Sequence, residues 1–133
     1  MNRPGIALLG AVLLVASAAV AAAFWPPGDA RALANLGLLV VAGALFVVGG
    51  ARHTVTVGGR RLPWYVFVGA GHLVFGAGLV AAQAPALGES ATTVERIGAL
   101  AAVVGGLVLA FIGVDYLRGG RHFAVADGDD GGR

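Results

Sequence analysis

The chain has no cysteine, no lysine, one methionine and serine only at Ser17 and Ser90, and just 12% of its 133 residues are charged. Without cysteine there is no disulfide framework, thiolate metal centre or thiol nucleophile, and cysteine usage says nothing of redox compartment. The sequence also lacks H-E-x-x-H, a glycine-rich phosphate loop between a strand and a helix, and paired carboxylates within an apolar run. The residue sets of metal-assisted or intramembrane hydrolysis are therefore missing, and no enzymatic activity and no bound cofactor are expected. All nine basic residues are arginine, which with the alanine, glycine and valine richness resembles the product of a GC-rich genome such as a halophile's. A pI near 9.9 does not point to nucleic acid, because the arginines fall at the ends of apolar runs, where membrane topology accounts for them.

What the chain does have is apolar length. Hydrophobic residues make up 58% of it and the mean hydropathy is +0.86, outside the range of an ordinary soluble domain. Cutting at every charged residue leaves four long runs, Pro4–Gly28, Ala32–Ala51, Leu62–Gly88 and Ile97–Val114, of 25, 20, 27 and 18 residues. Each is near the roughly 20 residues that cross a bilayer as a helix. The runs are apolar all round rather than alternating in polarity, which argues against a transmembrane β-barrel. The expected fold is an all-α integral membrane domain over residues 1–126, a bundle of four helices at about 5–25, 32–51, 63–84 and 94–117. The acidic, glycine-rich tail 127–133 has too little apolar content to fold alone.

The connections carry their own signals. Thr54 to Val57 alternates in polarity before Gly58-Gly59, a pattern for a small hairpin or an extended loop at the membrane surface. Thr92 and Glu95 have the spacing of a capping box opening the fourth helix. Arg3, Arg52, Arg60, Arg61, Arg118 and Arg121 fall on one side of the membrane and only Arg31 and Arg96 on the other. That excess predicts a plasma-membrane protein with both termini cytoplasmic. Trp64, Tyr65 and Tyr116 fit the inner boundary, and Phe24 and Trp25 the outer one. The small residues before Phe24 also fit signal-peptidase sites, so cleavage of the first run stands as an alternative.

Pro4–Pro26 laid on Pro63–Pro85, at an offset of 59, gives nine identities in 23 positions, among them Gly10 with Gly69 and Pro26 with Pro85. The second and fourth runs align poorly, but Gly49-Gly50-Ala51-Arg52-His53 is mirrored by Gly119-Gly120-Arg121-His122. The expectation is a duplicated helical hairpin, a parallel 2+2 repeat. Duplication argues for retention of the first helix.

His72 is the one titratable side chain in the middle of a run, eight residues past Trp64 and so about 12 Å along a helix. Gly69 and Gly76, three before and four after it, share its face and turn it toward other helices rather than lipid. Such a residue is a candidate functional group. Its ordinary alternative is a neutral imidazole bonded to a backbone carbonyl, to Ser17 or to Asn35. Asp115, near the end of the fourth helix, is unfavourable with the helix dipole and calls for a partner, Arg118 in the first place or Arg52, Arg60 or Arg61. Arg52, His53, Arg121 and His122 form a basic histidine motif at the cytoplasmic face, a candidate for sharing a metal or an anionic lipid head group. Two histidines without fixed spacing or carboxylates are a weak metal signal, and surface histidine is the ordinary reading. Gly98, Ala102, Gly106 and Ala110 make a small-residue stripe that speaks of helix packing, within the chain or between copies.

Small four-helix multidrug transporters are similar in size, but rely on a membrane-embedded Glu in their first helix, where this chain has no charge. The reading is a structural or accessory membrane protein that packs with itself or with a larger complex, its partners being the bilayer and a homo-oligomer or membrane assembly. The alternative is an oligomeric carrier or channel for protons or a small solute, using His72 and Asp115. A metal or haem site on His72 is weaker, for want of a second intramembrane ligand.

Overall fold

Local chemistry sets where each helix starts and stops. The computed structural model describes residues 3–24, 28–88 and 91–120. Over these the chain runs α1 (Arg3–Phe24), α2 (Ala30–Ala51), β1 (Thr54–Val57), β2 (Arg60–Pro63), α3 (Trp64–Gln83), a 3₁₀ turn (Ala84–Leu87) and α4 (Thr93–Leu117). All four α-helices are long and apolar enough to cross a membrane. At 1.5 Å per residue, the 22 residues of α1 and of α2 extend about 33 Å.

Helix α2 begins two residues before its uncharged run. Asp29 caps it, its carboxylate accepting the Ala32 N–H at 2.6 Å, so Arg31 lies within the first turn. The capping box at α4 is complete. The Thr92 hydroxyl accepts the Glu95 N–H at 3.3 Å, and the Glu95 carboxylate accepts the Thr92 N–H at 2.7 Å. At its other end Gly119 and Gly120 have φ of 87° and 68°. The Gly119 N–H donates to Tyr116 O at 3.0 Å and the Gly120 N–H to Asp115 O at 2.8 Å, a Schellman closure that glycine permits.

Between α2 and α3 the alternating segment is a two-stranded hairpin, with Thr54 opposite Pro63 and Val57 opposite Arg60. Gly58 and Gly59 both have positive φ, 55° and 78°, as the tight turn of a twisted hairpin requires. The Trp64 N–H donates to His53 O at 2.9 Å across the hairpin base. On the opposite end, the Arg96 guanidinium donates to Gly88 O at 3.2 Å and ties the 3₁₀ turn to α4.

Packing follows chain order. Helix α1 lies on α2, α2 on α3 and α3 on α4, while α1 and α4 do not make a comparable contact among the described residues. The bundle is thus open, a row with two edge helices, and those edges bury the smallest share of their length. The buried core is displaced toward the hairpin end. It comprises Ile6 of α1, Ala42 and Phe46 of α2 and Val68 of α3, with Leu13, Trp64 and Tyr116 packed around it.

Candidate functional site

The arrangement around His72 begins with glycine. A Cβ built on Gly69 would stand 2.7 Å from the carbonyl oxygen of Gly113, and one built on Gly113 would stand 2.7 Å from that of Gly69. One turn-pair further along, a Cβ at Gly76 would meet Gly106 O at 2.7 Å, and one at Gly106 would meet Gly76 O at 2.9 Å. Helices α3 and α4 therefore touch backbone to backbone at two levels seven residues apart, a separation only glycine allows. Close approach of α4 brings the ring of Tyr116 over His72.

His72 is half-buried between three helices. Its ring stacks on Tyr116 of α4, with centroids 5.8 Å apart and planes 10° apart. Phe46 of α2 meets it edge-on at 4.9 Å and 81°. Gly71 leaves the room for that phenyl ring, since a Cβ there would lie 2.9 Å from Phe46 Cε1. His72 Nδ1 is 2.8 Å from Val68 O, one turn back on the same helix. A carbonyl only accepts, so Nδ1 carries the hydrogen of this bond and a neutral ring leaves Nε2 as an acceptor. Of the partners expected for His72, the backbone carbonyl is the one observed. Ser17 instead donates to Leu13 O at 2.7 Å within α1.

The aromatic set extends to the hairpin end of the row. Trp64 lies edge-on to Tyr116 at 6.0 Å and to Tyr65 at 6.3 Å. Asp115, 4% exposed, precedes Tyr116 and its carbonyl closes the end of α4. The Arg3 guanidinium and the His53 imidazole are hydrogen-bonded, which links the start of α1 to the loop after α2. Arg52 is exposed, as are Arg60 and Arg61 of β2. Arg121 and His122 lie outside the described residues, so the two halves of the basic histidine motif are not compared. Among the described residues no three His, Cys, Asp or Glu side chains come together in a way that could hold a metal ion.

The small-residue stripe on α4 divides. Gly106 sits in the α3 seam, and Ala110 borders it with its nitrogen 3.5 Å from a Cβ at Gly76. Ala102 is half-buried, whereas Gly98 is exposed and a Cβ on it would meet nothing within 4 Å. The buried positions on α4 are instead Ala99, Gly106 and Gly113. Residues four apart advance about 40° round the helix at each step, so a strict four-residue stripe drifts off a straight neighbour, and a seven-residue repeat stays on it. Glycines at seven-residue spacing on both α3 and α4 were the signal for this seam. Phe46 and Tyr116, by contrast, have no mark in the sequence that joins them to His72.

No curated protein and no solved structure matches the chain. The chain belongs to a family of unknown function, DUF7994, whose profile matches residues 1–128.

Proposed function

We propose that the protein is a four-span integral protein of the plasma membrane that works by assembly, as a structural or accessory component packed with itself or within a larger membrane complex. The observation that carries this reading is how the helix surfaces are used. Glycine faces are spent on backbone-to-backbone seams inside the row, and the one titratable group at mid-helix is tied to its own backbone between two aromatic rings. The outward faces of α1 and α4 are apolar, with Leu8, Val12 and Val15 on one and Ile97, Leu100, Val104, Leu107 and Phe111 on the other all more than half exposed. Such faces suit lipid and neighbouring helices.

The arginine count supports an orientation with both termini cytoplasmic. The β1–β2 hairpin, with Arg60 and Arg61, then lies on the inner surface, and the 3₁₀ turn on the outer. A cysteine in place of Ala86, in this cysteine-free chain, reacts with an impermeant maleimide in intact cells if that orientation holds. A cysteine in place of Gly58 then reacts only after the cells are opened.

Duplication is supported by register. In the first hairpin Gly10 faces Gly43, since a Cβ on Gly10 would lie 2.6 Å from Gly43 O. In the second Gly69 faces Gly113. Gly10 and Gly69 differ by 59, the offset at which α1 and α3 share most residues, and Gly43 and Gly113 differ by 70. The offset of 70 also lays Gly49-Gly50 on Gly119-Gly120 and Phe46 on Tyr116.

The assembly reading is tested by isolating the tagged protein from membranes in mild detergent and measuring its mass with whatever accompanies it. A multiple of the chain mass, or a defined complex, is expected; a bare monomer overturns it. The carrier reading draws on one observation, the half-buried position of His72 between rings from α2 and α4. Loss of proton or solute flux from proteoliposomes in His72→Leu is its test.

A further inference from the structure

We propose that a second copy of this chain seats its α1 against α4 of the first, continuing the α1–α2–α3–α4 row head to tail. The proposal rests on the assembly and duplication readings above and adds which copy, which helices and which residues. Its basis is the contact between the two hairpins, α2 on α3. There Leu38 meets Gly78, where a Cβ would stand 3.3 Å from Leu38 Cβ. Phe46 meets Gly71, and Gly49 meets Val68, whose Cγ2 would be 2.7 Å from a Cβ at Gly49. If α4 repeats α2 and α1 repeats α3, the same seam joins α4 of one copy to α1 of the next. Moving α2 forward by 70 and α3 back by 59 turns these pairs into Val108 with Ala19, Tyr116 with Val12, and Gly119 with Leu9.

The edge positions stand open where their internal counterparts are closed. Phe46 and Val68 are fully buried, and Gly71 and Gly78 are buried. Val108 is 52% exposed, Val12 is 55% exposed, and Leu9, Ala19 and Gly119 are exposed. Tyr116 is covered by His72 and Trp64 on the α3 side and remains only half-buried. On α1 the same flank is lined by Ala16, Ala19 and Ala23, all exposed. Lipid chains gain nothing from small side chains, whereas an approaching helix gains close packing. Val12 replaces the glycine that admits Phe46, so the seam is tightest at its outer half, near Ala19 and Val108. Two copies related by a two-fold axis use both edges at once and close the assembly.

The chain's lack of cysteine makes the test direct. Full-length Ala19→Cys and Val108→Cys chains, carrying different tags, are produced together and oxidised in their native membranes. The internal counterpart has a Cβ separation of 3.3 Å, near that of a disulfide. The expected result is a mixed-tag disulfide, seen as a shift from one chain mass to two, in preference to either same-tag product. Leu38→Cys/Gly78→Cys serves as the intrachain control that oxidation and folding have succeeded. Same-tag disulfides alone overturn the seam, and so does absence of any cross-link when the control closes. A multimeric mass with the wrong disulfide removes this seam while leaving the assembly reading in place. A bare monomer removes both.

Discussion

The two helical hairpins are built on one register and finished differently. In α1–α2 one reciprocal glycine pair, Gly10 with Gly43, brings the backbones together. Seven residues along α2, Gly50 lies against the Ala7 backbone, where a Cβ would run into the Ala7 nitrogen, and seven residues along α1 the seam carries Ser17, which bonds its own helix. In α3–α4 two glycine pairs at the same spacing do so. Where α1 has Leu13, packed on the core, α3 has His72, and where α2 has Phe46, α4 has Tyr116. The added glycines and the His–Tyr stack belong together. A planar ring pair across two helices needs the helices held at a fixed short distance, and a second reciprocal glycine contact fixes it. The two hairpins thus differ in the chemistry of their seams: both of the α3–α4 levels are reciprocal glycine pairs, and one of the α1–α2 levels sets glycine against alanine.

The largest effect is expected from breaking the reciprocal glycine seam of the second hairpin. Gly69→Ala and Gly113→Ala each drive a methyl toward a carbonyl oxygen 2.7 Å away, with no side chain to yield. Overpacking of this kind costs about 1–3 kcal/mol, and since the two contacts are reciprocal the double variant should fall short of the sum. Unfolding in mixed detergent micelles measures both. The comparison sharpens in the first hairpin, where the pair is lopsided. Gly10→Ala meets backbone at 2.6 Å and should be as costly, but Gly43→Ala meets Leu14 Cγ at 3.0 Å and the Gly10 carbonyl oxygen only at 3.1 Å. Its cost should be smaller than that of Gly10→Ala, because both contacts are looser and one is to a side chain. Equal losses at Gly43 and Gly113 would erase the distinction between the hairpins.

A smaller effect is expected from making the second hairpin resemble the first. His72→Leu removes the bond to Val68 O, but that carbonyl stays within the helix ladder, and leucine fills much of the ring's place between Phe46 and Tyr116. A near volume-conserving exchange should change stability by less than about 1.5 kcal/mol. The reverse exchange, Leu13→His, should cost more: the Leu9 carbonyl one turn back offers the bond that Val68 O offers His72, but the second ring nitrogen enters the apolar core around Ile6 and Phe46. If His72→Leu proved as damaging as Gly69→Ala, the imidazole itself would be holding the second hairpin together.

How far the chain could be read in advance follows the range of each interaction. Helix lengths, the capping box at Thr92 and the Gly58-Gly59 turn are decided by residues within four positions of one another, and all stand where the local pattern puts them. Small shifts at helix ends have local causes too, as when Asp29 draws Arg31 into α2. Tertiary neighbours are another matter. In helices apolar on every side, no hydrophobic stripe marks an inner face, so neither the open row nor the meeting of Phe46, His72 and Tyr116 was legible. Only glycine breaks that uniformity, because it alone permits contact at backbone distance, and glycine lies in the seam at Gly69, Gly76 and Gly106, while Gly98 faces away from it.

Gly98 provides the smallest and most discriminating variant. It lies beside the buried Ala99 but off the buried face of α4, and a Cβ there meets nothing within 4 Å. Within one chain, Gly98→Ala should be neutral or stabilising by up to about 1 kcal/mol, since alanine is the better helix former. The same outcome is expected for the assembly. Under the offset that relates α2 to α4, Gly98 corresponds to Gly28, which precedes the Asp29 cap of α2 and also has nothing within 4 Å of its Cβ position. The inter-hairpin seam therefore ends before this level in the chain and should end before it between copies. An unchanged oligomer mass for Gly98→Ala, alongside dissociation for Ala19→Leu, would place the contact on the α1 flank and α4 positions nearer Val108. Dissociation by Gly98→Ala would instead put the outer end of α4 in a tight interface of its own and separate the packing between copies from the packing within them.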